Sequence, residues 1–341
     1  MSWVLLPLAF ACASPVSTEV RAEAPAPSSP LAETMVDVRT PADFLEAQRA
    51  YAEVAEAGGT LVVRLHAGSY ASQSLILNSP ERAPRVSIRV EGAQPGTTVS
   101  SLRMDLGGRA VMVRHLQVGG SLPSGVALKV AAIERVDLED LRFVGLAVPS
   151  GGGRRRNGAL ELMAMGPSTA GNLTGLWYVG NDVGDAPVAW LTHPGANFGP
   201  IRVADSVWVD TGDRPTIVCQ TLDTVEFDHN VVVRLGEPFV SPMLTRGQLR
   251  FVRSWLAVPE VDGLVVAPSK AGATPMEFAP VAVSESHVFG GTDEMKDPGV
   301  LLQASTQGPA RAFPSPEALA RAIGLASSGG SVSELVTLLF P

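Results

Sequence analysis

Cysteine is almost missing from this chain: Cys12 and Cys219 are the only two in 341 residues. That is too few for a disulfide framework, so the fold must be held by its core. Charge is scarce as well, at 18% of residues, and its sign is wrong for nucleic acid. Asp and Glu number 34 against 26 Lys and Arg, for a net charge of −8. Binding along a phosphate backbone needs clustered cations, and no nucleic-acid partner is expected. Aromatic residues make up only 6%. In contrast, hydrophobic residues reach 45%, with 34 Gly and 27 Pro. Such a chain can bury a large core, has many turns, and leaves little room for long helices.

The chain opens with an apolar run, Trp3–Ala11, that is too short to span a bilayer. It ends at Leu8-Ala9-Phe10-Ala11-Cys12, where a small residue precedes Cys as in a bacterial lipobox. Residues 1–12 are therefore expected to be an export signal, with Cys12 as the site of lipidation. The protein would then sit on the bacterial outer membrane or cell surface, held by its lipid. Without lipidation it would be secreted or periplasmic. Residues 13–34, rich in Ala, Pro, Ser and Glu, read as a solvated linker.

From residue 35 to 305 one pattern recurs: apolar, any, apolar, any, any, a pivot residue, any, apolar. Examples are Val111, Val113, Leu116, Val118 and Val225, Phe227, Asn230, Val232. The pivots fall at 91, 116, 141, 181, 206, 230, 254 and 286, mostly 24 or 25 residues apart. Apolar residues two apart share one face of a strand. The gap before the pivot turns a corner, the pivot points inward, and a second strand follows. Third strands are expected at 126–130, 159–163, 188–191, 216–219, 243–245, 264–267 and 300–303. Three strands per period make one coil of a three-sided solenoid. Leu138, Val203, Phe227, Phe251 and Val283 are expected in its core.

Polar pivots at Asn181, Ser206, Asn230, Ser254 and Ser286 can hydrogen-bond the corner backbone and stack on one another. This ladder resembles that of the pectin-lyase-like parallel β-helix proteins over roughly residues 36–303. The resemblance implies an all-β fold, a right-handed parallel β-helix solenoid. Its entry also resembles theirs: a helix from Pro41 to Ala55 with Thr40 as N-cap, then Gly58-Gly59, a strand at 61–65 and Gly68-Ser69-Tyr70. Such a helix would cap the first coil. In residues 306–341, Ser315–Ile323 and Ser331–Leu339 read as amphipathic helices forming a C-terminal helical cap on the last coil.

In that family the binding groove runs along one strand face between variable loops. The outward residues of the third strands here are Lys129, Glu161, Trp190, Val218 and Leu244. Trp190 offers a flat face for a sugar ring, and the Arg154-Arg155-Arg156 loop offers cations to an anionic polymer. Asp182, Asp185, Asp210, Asp213 and Arg214 fall in loops of adjacent coils. Close carboxylates there would divide acid and base roles in glycoside hydrolysis, or hold Ca²⁺. Arg214 would pair with an acidic sugar. The same residue types also fill ordinary turns. No two His stand at ligand spacing, so no His-based metal site is expected. The Asp-rich and Gly-His segments of polygalacturonase-like hydrolases are missing, as are the Arg and Asp signatures of pectate lyases and pectin methylesterases. The leading expectation is a protein that binds polysaccharide or another extended partner. The alternatives are a polysaccharide lyase or glycoside hydrolase acting on acidic polysaccharide, and a surface scaffold.

Overall fold

The computed structural model describes residues 32–341 except 72, 79–84, 124, 149–157, 183–188, 193–197, 211–215, 220–222, 235–239, 243–248, 258–280, 290–299, 304–305, 309–314, 329 and 340–341. Every strand pairing among the described residues is parallel, and strands stack coil upon coil into a β-solenoid with three sheets. The pattern of two inward residues around one outward residue per strand dictates this: each strand buries one face and pairs on both edges.

The first sheet runs from Glu33–Val38 to Val300–Gln303. Its central row is Val36, Val63, Val90, Val113, Leu138, Leu173, Val203, Phe227, Phe251, Val283 and Leu302. The five residues expected in the core are all buried. Phe227 and Phe251 stack with ring centroids 4.9 Å apart. Each fully buried ring of this kind contributes about 1.5–3 kcal/mol relative to exposure. The row between faces outward and carries charges in alternation, as in Arg64–Glu91–Arg114.

A single left-handed residue makes the corner from the first sheet to the second. It is His115, Asp140, Gly175, Asp205, His229, Arg253 or Glu285 in successive coils, with φ between 49° and 67°. The residue after it points inward. Leu116, Leu141, Leu176, Ser206, Asn230, Ser254 and Ser286 therefore form one continuous row. The polar members saturate the corner backbone: Ser206 Oγ accepts from Leu176 N–H at 3.0 Å and donates to the Ala204 carbonyl at 2.7 Å.

Two expected pivots lie elsewhere. Glu91 stands in the outward row of the first sheet, and Thr97 takes the corner place beside Leu116. Asn181 follows the second-sheet strand Trp177–Val179, where its side chain bridges the Leu146 N–H and the Phe143 carbonyl. Val300–Gln303 belongs to the first sheet rather than the third. The reason is common to all three: apolar alternation is the same on every side of the coil, so it does not say which side a strand occupies.

At the N-terminal end, Pro41–Asp43 forms a 3₁₀ turn that leads into α1, Phe44–Ala57. The Asp43 carboxylate accepts the Arg39 and Thr40 N–H groups at 2.8 Å, and Gly58 stops the helix at φ 78°. Phe44, Ala47, Ala50, Tyr51 and Val54 join the main core. The buried Tyr51 hydroxyl donates to the Gly107 carbonyl at 2.9 Å.

The C-terminal helices, α2 (Pro316–Ser327) and α3 (Val332–Leu339), form as expected. The surface they cover is the flank of the coils rather than the end of the last one. Trp177, Val179, Val207, Val209, Val231 and Val233 alternate with inward residues of the second sheet and so face outward. Ala318, Ala322, Leu335 and Leu339 bury this stripe. An outward apolar row has no other way out of water, and it draws the amphipathic helices onto itself.

Candidate functional site

The third sheet presents its outer face between the variable loops. Its outer face carries Ile76, Asp105, Lys129 and Glu161, one residue per coil in direct register, and Trp190, Val218 and Ser241 stand at the same register position in the following strands. Lys129, Glu161, Trp190 and Val218 occupy equivalent register positions in successive coils. The fifth expected position is replaced: the strand is Val240–Pro242, so Ser241 stands where Leu244 was expected, and Leu244 lies outside the described residues. Coil spacing sets these backbone positions about 4.8 Å apart.

The rung at Arg103–Gly108 was missed in the sequence, although Arg103-Met104-Asp105-Leu106 alternates polar and apolar as a half-buried strand should. It adds Arg103 and Asp105 to the face, with Met104 and Leu106 buried beneath. Asp105 accepts a hydrogen bond from Asn78 Nδ2 at 3.1 Å. Glu161 is only 6% exposed although it faces away from the core. Lys129 is half-buried. Cys219 is in backbone register with Leu191, and Leu191 with Leu162.

Of the expected acidic cluster, only Asp182 and the backbone of Asp210 are among the described residues. Asp182 is exposed and bridges to Ala147. Asp210 ends the strand Val207–Asp210 and lies in register with Arg234. Asp185, Asp213 and Arg214 lie outside the described residues, as do Arg154, Arg155, Arg156 and Cys12. Among the described residues, no three His, Cys, Asp or Glu side chains converge as metal ligands would. No described helix is long and apolar enough to cross a membrane.

Several titratable groups tie coils together. His115 reaches Asp140 at 3.4 Å and His229 reaches Asp205 at 2.7 Å, each across adjacent coils. The Asp228 carboxylate accepts from Arg253 Nε and Nη2 at 2.9 and 2.6 Å and from Arg202 at 2.6 Å. Burial pushes this carboxyl up, but the arginine hydrogen bonds and charges outweigh it and hold it below the usual carboxylate range. Glu91 is lowered for the same reason: Arg114, Arg89 and Arg64 outweigh its burial.

The fold defines a parallel β-solenoid protein. Comparison with protein-family models, with curated proteins and with solved structures finds no match to the chain.

Proposed function

We propose that this is an exported, lipid-anchored β-solenoid that binds an extended polysaccharide, and that the outer face of the third sheet is the binding platform. The observation that supports the reading is the row Asp105, Lys129, Glu161, Trp190, a run of hydrogen-bonding side chains followed by an aromatic one at a fixed step along the solenoid axis. A sugar chain is itself a repeating rod, and a ladder of polar groups with an aromatic stacking partner matches its alternation of hydroxyl edges and C–H faces. The resemblance of the repeat to pectin-lyase-like proteins supports the same class of ligand. The linker and Cys12 would hold this platform away from the membrane.

The test is calorimetric titration of the chain with neutral and acidic polysaccharides, with product analysis of each mixture. Binding without cleavage is expected, weakened about tenfold or more by Lys129→Ala combined with Trp190→Ala. No binding to any polysaccharide would remove the proposal in favour of a scaffold. Cleavage by the wild type that disappears in Asp213→Ala would replace it with an enzyme. Lipidation is tested separately, since Cys12→Ser should move the protein from the membrane fraction to the soluble one.

A further inference from the structure

The two ends of the solenoid are finished differently. At the N-terminal end the edge strand is Glu33–Val38, which among the described residues pairs on one side only, with Gly59–Leu65. It carries two exposed carboxylates, Glu33 and Asp37. Beside it α1 closes the coil, burying Phe44, Ala47, Tyr51 and Val54 in the core. Charge on an edge strand and a helix packed at that edge both discourage pairing with another chain.

At the C-terminal end, Val300–Gln303 and Thr306–Gly308 extend the first and second sheets. Among the described residues each pairs on one side only, with Val281–Ser284 and with His287–Phe289. The helices α2 and α3 lie on the flank of earlier coils. Neither terminal strand contains a charged residue or a proline. The loss of charge begins one strand earlier. One register row of the first sheet reads Arg202, Glu226, Arg250 and then Ala282 and Leu301. Another reads Asp228 and then Val252, Ser284 and Gln303. The ladder of ion pairs on this sheet therefore stops where the edge begins.

An unpaired edge displays backbone N–H and C=O groups at ladder spacing, and the partner that completes it is another strand. The same end of a second copy fits this edge. A two-fold axis across Val300–Gln303 sets the strand antiparallel to its own copy and keeps the inward register rows inward. It satisfies both edges at once, so the assembly closes at two copies. Joining this edge to Glu33–Val38 would meet α1 and two carboxylates, and would leave a free edge at each end of the assembly. We infer that two copies of this chain join tail to tail through Val300–Gln303, making one first sheet continuous across the dimer.

Sedimentation equilibrium of the full chain over a concentration series reads the association. Wild type is expected to reach twice the mass of one chain and no more. Leu301→Lys, which places like charges on both edges, should weaken the dimer at least about tenfold. Met35→Lys, on the N-terminal edge strand, should leave it as in wild type. Hydrogen exchange of the wild type gives a reading that needs no variant: amides of Val300–Gln303 should gain protection as concentration rises, and amides of Glu33–Val38 should not. If Leu301→Lys fails to fold, the exchange reading decides. A wild type that stays monomeric up to about 0.1 mM would overturn the inference. So would a dimer whose amides at Val300–Gln303 exchange as they do in the monomer. Species larger than dimers, dispersed by Met35→Lys, would replace it with head-to-tail stacking.

Discussion

The backbone N–H of Asn230 donates to the hydroxyl of Ser254, one coil further on, at 3.0 Å. Ser254 repeats the relation with Ser286, also at 3.0 Å, and the Asn230 amide group donates to the Val203 and Asp228 carbonyls at 2.9 and 3.0 Å. Asn230 thereby closes the corner backbone of its own coil and the one before it. Replacing it with Leu leaves buried carbonyls without donors, at a cost of about 1–3 kcal/mol. The expected outcome is a lower midpoint in urea unfolding with an unchanged slope. Stability equal to wild type would show that the ladder is dispensable.

Asp228 sets a pH dependence. Its folded-state carboxyl lies below its ordinary range, so the ionised form is favoured by folding. The resulting stability is fully present above the ordinary carboxylate range and is lost as pH falls through and below about 4. Melting temperature should hold steady from neutral pH to about 5 and then fall. Arg253→Met should lower the plateau and shallow the acid limb. An acid limb as steep in that variant as in wild type would assign the dependence to other carboxylates such as Glu91.

Glu285 occupies the left-handed corner at φ 51°. That region costs a residue with a Cβ roughly 1–2 kcal/mol, and Asn visits it more readily. Glu285→Asn should therefore raise the melting temperature by about 1–3 °C. A fall would mean that the Glu285 side chain contributes more through its charge near Arg253 than its backbone conformation costs.

Arg142 joins the C-terminal helices to the solenoid. Its Nη2 donates to the Gly330 carbonyl at 3.2 Å, and its guanidinium lies 4.7 Å from the Trp177 ring centroid. Arg142→Ala should speed hydrogen exchange in α2 and α3, while amides of the first sheet keep their protection. Loss of protection throughout would show that the helices and the coils unfold as one unit.

Much of the solenoid is legible in residues 111–118, 201–208 and 225–256, where coils of nearly constant length repeat the same inward positions. The shared register of Lys129, Glu161, Trp190 and Val218 follows from the repeat as well. Legibility fails where coil length changes. Around Leu176 and Tyr178, an inward pair of the second sheet copies the spacing of an inward pair of the first, and Asn181 copies a corner pivot. The third-sheet stretch 103–108 was hidden because the strand Arg103–Ser121 runs on without a loop into the first-sheet residues 109–114, leaving no turn to mark it.

The sequence by itself determined the parallel solenoid, its core residues and the polar ladder at Ser206, Asn230, Ser254 and Ser286. These depend on alternation along one strand and on a repeat length, both local to the chain. Only the tertiary structure decided which sheet each strand joins, that Trp177 and Val207 face outward under α2 and α3, and that Asp105 stands in register with Lys129. Those outcomes depend on register between coils. A shift of a strand by one residue exchanges its inward and outward faces, and a change of sheet alters every neighbour, at no cost visible in the amino-acid pattern.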